Sequence, residues 1–292
     1  MKSTSEVTKT LFSPLARLGM LCLIFAAASC SKSDDAQPSS AIKIKLSSSA
    51  TLGNYLTDGD GNALYFFSTD VAGQNTCTGG CAGVWPIFFQ DGLTAEMLGT
   101  GLTLSDFGTI TAAAGQQLTY KGWPLYYYAP NGTREPANQT TGEAVGGVWF
   151  VAKPDYTIML AKTQLKGLDG NNYKGDYTLG DGAVVFFSDA EGRTIYTFTV
   201  DKKNKNNFTN GDGAHDANWP IYAETLASVP SVLDKTKFGT IDVSGVKQLT
   251  YKGWPLYYFG HDAVRGDTKG VSVPSPGIWP VGIKDAVDAP EN

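Results

Sequence analysis

Apolar and aromatic positions recur along the chain in short runs separated by polar turns, and the recurrence has a fixed form. Tyr, any residue, an aromatic, two residues, then Asp or Asn occurs four times: Tyr65/Phe67/Asp70, Tyr126/Tyr128/Asn131, Tyr196/Phe198/Asp201 and Tyr257/Phe259/Asp262. Residues i and i+2 of a strand point to one face, so each Tyr shares a face with the following aromatic. The acid or amide falls where the strand ends, where its side chain can accept a backbone N–H two residues on in an Asx-turn. Turn formers precede the motifs, as in Asp60-Gly61-Asn62 before Leu64-Tyr65 and Lys121-Gly122 before Trp123-Pro124-Leu125. The pattern predicts β-hairpins throughout. The opposite strand face carries Phe66, Tyr127 and Tyr258. One face of a single sheet serves as its core, so these rings are expected at the surface as candidate ligand contacts. Short helices are expected only over 94–98 and 228–233.

Comparison of the chain with itself reveals a duplication. Residues 117–127 return letter for letter as residues 248–258, and Phe107-Gly108-Thr109-Ile110 returns at the same spacing as Phe238-Gly239-Thr240-Ile241. Trp85-Pro86-Ile87 matches Trp219-Pro220-Ile221 after a short insertion, and Trp149 matches Trp279, so the 6 tryptophans fall into pairs. The expected architecture is all-β: a tandem duplication of a hairpin-rich β unit holding four motif subrepeats. The units are expected over 47–162 and 176–287, with 163–175 as a linker and 288–292 as a tail. Closure as a sandwich, a barrel or propeller-like blades stays open.

Composition fits this reading. The 292 residues include 34 Gly and 14 Pro, with 12% aromatic and only 17% charged, against about 25% charged and about 7% Gly in ordinary domains. Many aromatics argue against disorder. A formal net charge of -5 gives no basic face for nucleic acid.

The N-terminus specifies an address. Lys2, Lys9 and Arg17 precede an apolar run over 18–28, too short to cross a hydrocarbon core of about 30 Å, and this is the form of a secretory signal. The run ends Ala27-Ala28-Ser29-Cys30, which resembles the lipobox of bacterial lipoproteins, with Ala27 where that family usually has Leu. The resemblance implies a signal over 1–29, a lipid on Cys30 and membrane anchoring without a span. Ser31-Lys32-Ser33-Asp34-Asp35 is similar to the tag that accompanies surface export in Bacteroidota lipoproteins, and residues 30–46 are expected as a lipidated flexible tether. Cleavage removes Lys2, Lys9 and Arg17 against Glu6 alone, leaving the displayed chain more acidic. The expected location is the outer membrane, facing the cell exterior, with the periplasmic face as the alternative.

The repeated motif also resembles a family of secreted-repeat lipoproteins of unknown function. The pieces that carry the resemblance are Tyr55-Leu56-Thr57-Asp58, Gly61, Leu64-Tyr65-Phe66-Phe67-Ser68-Thr69-Asp70, Cys77 and Cys81, Trp85-Pro86, then Thr119 onward to Tyr126. The second half departs from it, with Phe186 where Tyr55 stands and no Cys pair. The resemblance implies a localisation and a fold unit. It implies no reaction.

Candidate chemistry is sparse. Cys22 leaves with the signal, so Cys77 and Cys81 remain, and an oxidising compartment favours a disulfide between them. The bond is either a structural staple before Trp85 or a redox couple, which a tight loop can make reducible. His215 stands where the second half should have Cys81. His215 and His261 are the only histidines and read as solvated loop residues, with Asp212, His215 and Asp216 as a weak polar cluster. Asp58-Gly59-Asp60-Gly61-Asn62 lacks the Gly and Glu that a calcium loop needs further on and reads as a hairpin turn. No cofactor, no metal site and no catalytic residue are expected. The expected function is a non-catalytic binding or structural module, with the membrane and a surface protein or glycan as partners and no nucleic acid. The alternatives are a redox or electron-transfer accessory using Cys77 and Cys81, or glycan binding through exposed aromatics.

Overall fold

The computed structural model describes residues 41–292. The signal, Cys30 and the tether up to residue 40 lie outside the described residues.

Hairpins form where short alternating runs meet glycine turns. Strand β1 (Ile44–Ser49) pairs antiparallel with β2 (Gly53–Asp58), Leu46 opposite Leu56. Strand β3 (Tyr65–Phe67) carries the first motif. Next, β4 (Phe107–Ala112), β5 (Gly115–Tyr120) and β6 (Trp123–Pro124) make a three-stranded antiparallel sheet in chain order. Then β7 (Trp149–Val151) returns to pair with β3, Phe66 opposite Phe150. The second half repeats the plan. Strand β8 (Met159–Lys166) lies between β9 (Asn172–Tyr173) and β10 (Ala183–Ser188). The second meander is β11 (Phe238–Val243), β12 (Val246–Tyr251) and β13 (Trp254–Pro255). The motif strand of this half is reduced to bridges from Tyr196 to Tyr257 and Val281. The described residues are thus all-β, in five small antiparallel sheets that do not close into a barrel.

The halves divide earlier than the sequence identity suggests. Residues 163–175, expected as a linker, are the second part of β8, a turn and β9. Strand β8 is to β10 what β1 is to β2: Ile44 lies opposite Asp58, and Met159 opposite Ser188, next to Asp189. The expected boundary at 162 therefore cuts through a strand. Of the two expected helices, 94–98 holds a single 3-10 turn, Ala95–Met97, and 228–233 is irregular, the next 3-10 turn being Lys235–Lys237. Two short α-helices were not expected: α1 (Gly80–Val84) and α2 (Gly213–Asp216), the latter capped by Asp212, which accepts from the N–H groups of Ala214 and His215.

The core explains why the expected surface rings are inside. Tyr65 faces a cluster with Trp85 and Trp149. Phe66, on the other face of β3, joins a larger cluster that runs into the second half, with Trp123, Phe150, Phe186 and Phe187. The second half covers what a lone sheet would leave wet, and Phe66 is only 1% exposed. Tyr127 is buried against Phe88 under the guanidinium of Arg134, 3.5 Å from its ring centroid. Tyr258 is half-buried, with Arg193 over its ring.

One arginine ties the halves together. Arg265 donates from Nε to the Val71 carbonyl (3.0 Å) and from one terminal nitrogen to the carbonyls of Lys121 (2.7 Å) and Glu191 (2.5 Å). Its guanidinium lies 5.0 Å from the Trp123 ring, and Trp123 Nε1 donates across the same junction to Ala190. Burial lowers the Arg265 pKa to about 10. Gly122, at φ +77, lies so close that a Cβ there would sit 2.7 Å from the guanidinium.

Candidate functional site

The four motifs work in reciprocal pairs. Within a half, the Tyr of one motif bonds the acid of the other, and their backbones exchange N–H···O bonds. Tyr126 Oη donates to Asp70 (2.5 Å), Tyr257 to Asp201 (2.7 Å) and Tyr196 to Asp262 (2.7 Å). Tyr65 and Tyr126 exchange backbone bonds, as do Tyr196 and Tyr257. The acids also hold loops: Asp70 accepts from Thr76, Asp201 from the N–H of Asn207 and Asp262 from the N–H of Lys269. Asn131 is the exception. It is exposed, and Tyr65 donates instead to Glu135 (2.5 Å), whose other oxygen accepts from Thr141. Glu135 lies outside the motif spacing, and no local pattern points to it. Burial raises Asp70 and Asp201 to about 6 and Asp262 to about 7, against the lowering effect of the bonds they accept. All four tyrosines are pushed well above the usual phenol range, burial first and the facing carboxylate next. A phenol so held is a strut, not a reactive acid.

The second aromatic of each motif ends a stack of rings. In the first half the order is Phe67, Trp149, Trp85, Tyr128, with centroid spacings of 4.0, 3.8 and 4.5 Å. In the second it is Phe198, Trp279, Trp219, Phe259, at 4.2, 3.7 and 4.4 Å. The motif's Tyr meets the stack edge-on, as Tyr65 does Trp85 and Tyr196 does Trp219. Duplication has copied this packing unit whole.

The flanks of the two stacks differ. In the first half Cys77 and Cys81 form a disulfide, with Cα atoms 5.2 Å apart, and its loop packs on the stack together with Val84, Ile87 and Val145. Cys77 is only 3% exposed. In the second half Phe208 and His215 take the place of the bridge, their rings stacked at 4.1 Å. Phe208 lies at the repeat spacing from Cys77, a signal the sequence carried. His215 is therefore packed on an aromatic rather than free in a loop. Its Nδ1 meets Asp216 at 2.9 Å, and Asp216 also accepts from Asn210 and Gly211, so that polar cluster closes a loop.

Beside the second stack lies an open groove of about 430 Å³. Phe198, Phe208 and Trp279 form its aromatic wall, Leu168, Val273 and Ile278 its aliphatic one, and His215 and His261 sit at its polar edge. Leu168 at 51% and Val200 at 54% exposed continue it outward. The three rings expected as ligand contacts, Phe66, Tyr127 and Tyr258, are not part of it. Tyr127 and Tyr258 instead donate to Asp58 (2.9 Å) and Asp189 (2.8 Å). These acids close the hairpin turns 58–62 and 189–193, Asp58 accepting from the N–H groups of Asp60 and Asn62 and Asp189 from those of Glu191 and Arg193.

Among the described residues no group of three or more His, Cys, Asp or Glu is placed to hold a metal ion, and no helix is long and apolar enough to cross a membrane. No curated protein and no solved structure matches the chain. A family model described as a secreted repeat of unknown function matches residues 47–88 and 241–281. Each match spans a hairpin, one motif and one stacked tryptophan, Trp85 or Trp279, so the family's unit corresponds to the subrepeat rather than to the half. The description agrees with an extracellular or envelope location. Two segments of this chain are thus similar to the secreted repeat of unknown function that this family model describes.

Proposed function

We propose that this protein is a non-catalytic binding module of the cell envelope, anchored to the outer membrane through Cys30, whose second-half groove receives an apolar group of a surface partner. The observation that carries the reading is the difference between two copies of one packing unit. The first stack is flanked by a cross-linked loop, whereas the second is bordered by an aliphatic and aromatic groove open to solvent. Contiguous exposed apolar surface rimmed by polar groups marks interaction sites. The titratable groups of the motifs are committed to one another inside the fold, which favours scaffolding over catalysis. Burial of Cys77 favours a structural bond over a redox couple. Burial of Phe66 and Tyr127 leaves those rings no free face for a sugar. The apolar dye anilinonaphthalene sulfonate serves as a probe. The native protein is expected to bind it with energy transfer from Trp219 and Trp279, Ile278→Asp to lose that binding, and Phe89→Asp, on the first half, to keep it. Equal binding by native protein and Ile278→Asp contradicts the reading.

A further inference from the structure

The second feature with unspent chemistry is a buried lysine. Lys153 follows β7 and is only 6% exposed. Among the described residues its ammonium donates no hydrogen bond and has no carboxylate oxygen within 4 Å. It lies 5.2 Å from the centroid of the Tyr156 ring. Glu143, Asp155 and Lys235 are the charged groups that act on it; each makes a bond of its own, and Glu143 keeps its other oxygen buried without a partner among the described residues. Asp155 accepts from the Ser228 hydroxyl (2.9 Å), Glu143 accepts the Val151 N–H (2.7 Å), and Lys235 donates to the Ala227 carbonyl (2.5 Å).

Lys153 also lines a cleft of about 600 Å³, the largest of those described. The cleft lies between the β1–β2 turn at residues 51–53 and the second-half segment 227–235, with Lys235, Ser228 and Ser231 on its far wall. Burying most of the side chain penalises the ammonium and lowers the Lys153 pKa, with Lys235 adding to the effect and Glu143 and Asp155 opposing it. Charge-assisted hydrogen bonds to an oxyanion would remove that cost, and they are the strong ones. Two ammonium groups and the Ser231 hydroxyl line one cleft together with the Asp155 carboxylate, which already accepts from Ser228, and those three groups are a donor set for a carboxylate or a phosphate group.

We propose that this cleft is an anion-binding site, taking a small carboxylate- or phosphate-bearing molecule on Lys153, with Lys235 and Ser231 as further donors. The site is separate from the apolar groove, and neither depends on the other.

Thermal unfolding of the mature lipoprotein in maltoside micelles tests it, with inorganic phosphate or acetate titrated against sodium chloride at matched ionic strength. Phosphate stabilises proteins generally by exclusion from their surfaces, so the readout is a saturable rise in Tm on top of that linear trend. The expected result is saturation with at least one of the two anions. Lys153→Met should raise Tm in the absence of anion, because it removes a partly desolvated charge with no ion-pair partner, and should abolish the saturable part. Lys235→Met should weaken the apparent affinity about tenfold without changing the anion-free Tm. Stronger saturation with phosphate than with acetate identifies a phosphate group, and the reverse a carboxylate. A lower anion-free Tm for Lys153→Met overturns the proposal, because the ammonium is then a strut for Glu143. So does a saturable rise that survives the substitution, or the absence of saturation with both anions.

Discussion

Raising the pH from 4.5 to 7.5 should destabilise this protein, which is the reverse of the usual acid denaturation. Asp70 and Asp201 are raised to about 6 and Asp262 to about 7 in the folded state, burial being the largest cause, whereas an unfolded Asp titrates near ~3.9. Between those values the folded chain binds more protons than the unfolded one, so stability is fully present below about pH 4 for these groups and is lost as pH rises through 6 to 7. A shift of two units is worth roughly 3 kcal/mol, and this is the order expected for each of Asp70 and Asp201. Carboxylates lowered by their own bonds, such as Asp234 and Asp242 on the surface, act below about pH 4 in the opposite sense, so the maximum should fall near pH 4 to 5. Urea unfolding at pH 4.5, 6 and 7.5 measures the effect. Asp201→Asn mimics the protonated acid, so its stability relative to the native protein should rise by up to ~3 kcal/mol across the same range. A native protein more stable at pH 7.5 than at 4.5, or an Asp201→Asn difference that does not change with pH, refutes the reasoning.

Arg265→Ala leaves the carbonyls of Val71, Lys121 and Glu191 without their donor and should cost about 3–5 kcal/mol, with calorimetry resolving two transitions as the halves uncouple; a single unshifted transition contradicts this. Replacing Cys77 and Cys81 together by Ser should cost at most about 2 kcal/mol, because the loop they close is short, and the circular dichroism of the folded state should not change. Gly142→Ala and Gly270→Ala should each lose about 1–3 kcal/mol by overpacking, since a Cβ would lie 2.9 Å from Trp85 and 2.6 Å from Trp219; equal stability of both variants and the native chain in urea contradicts the account of the stacks.

The duplication, the hairpins and the turn at 58–62 are legible in the sequence because they depend on local spacing, but of the four motifs only Tyr65–Phe67 forms a strand, the tyrosines of the others making isolated bridges. What the motif residues touch is not legible there. Tyr126 and Asp70 are 56 positions apart, and Tyr65 and Glu135 are 70 apart, so no local rule links them. Asn131 holds the motif position while Glu135 does the bonding, an exchange visible only once the loop is folded. Alternation puts Phe66 on the face that a single sheet leaves wet; here the second half covers that face. Residues 163–175 hold the end of β8, a turn and β9, and the glycines and asparagines of that turn look the same as a linker in composition. Phe208, by contrast, was within reach: it lies at the repeat spacing from Cys77, and only the change from cysteine to an aromatic hid the equivalence. The groove was not, because its walls come from six separate stretches of the chain.

The second-half groove is expected to be where a surface partner meets this protein. A photo-reactive amino acid placed at Leu168, on the groove edge, and separately at Val246, exposed to a similar degree on the second meander, tests it on intact cells. Irradiation should give a discrete adduct from position 168 that disappears with Ile278→Asp, and none from position 246. Adducts at both positions alike, or none at 168, contradict the account.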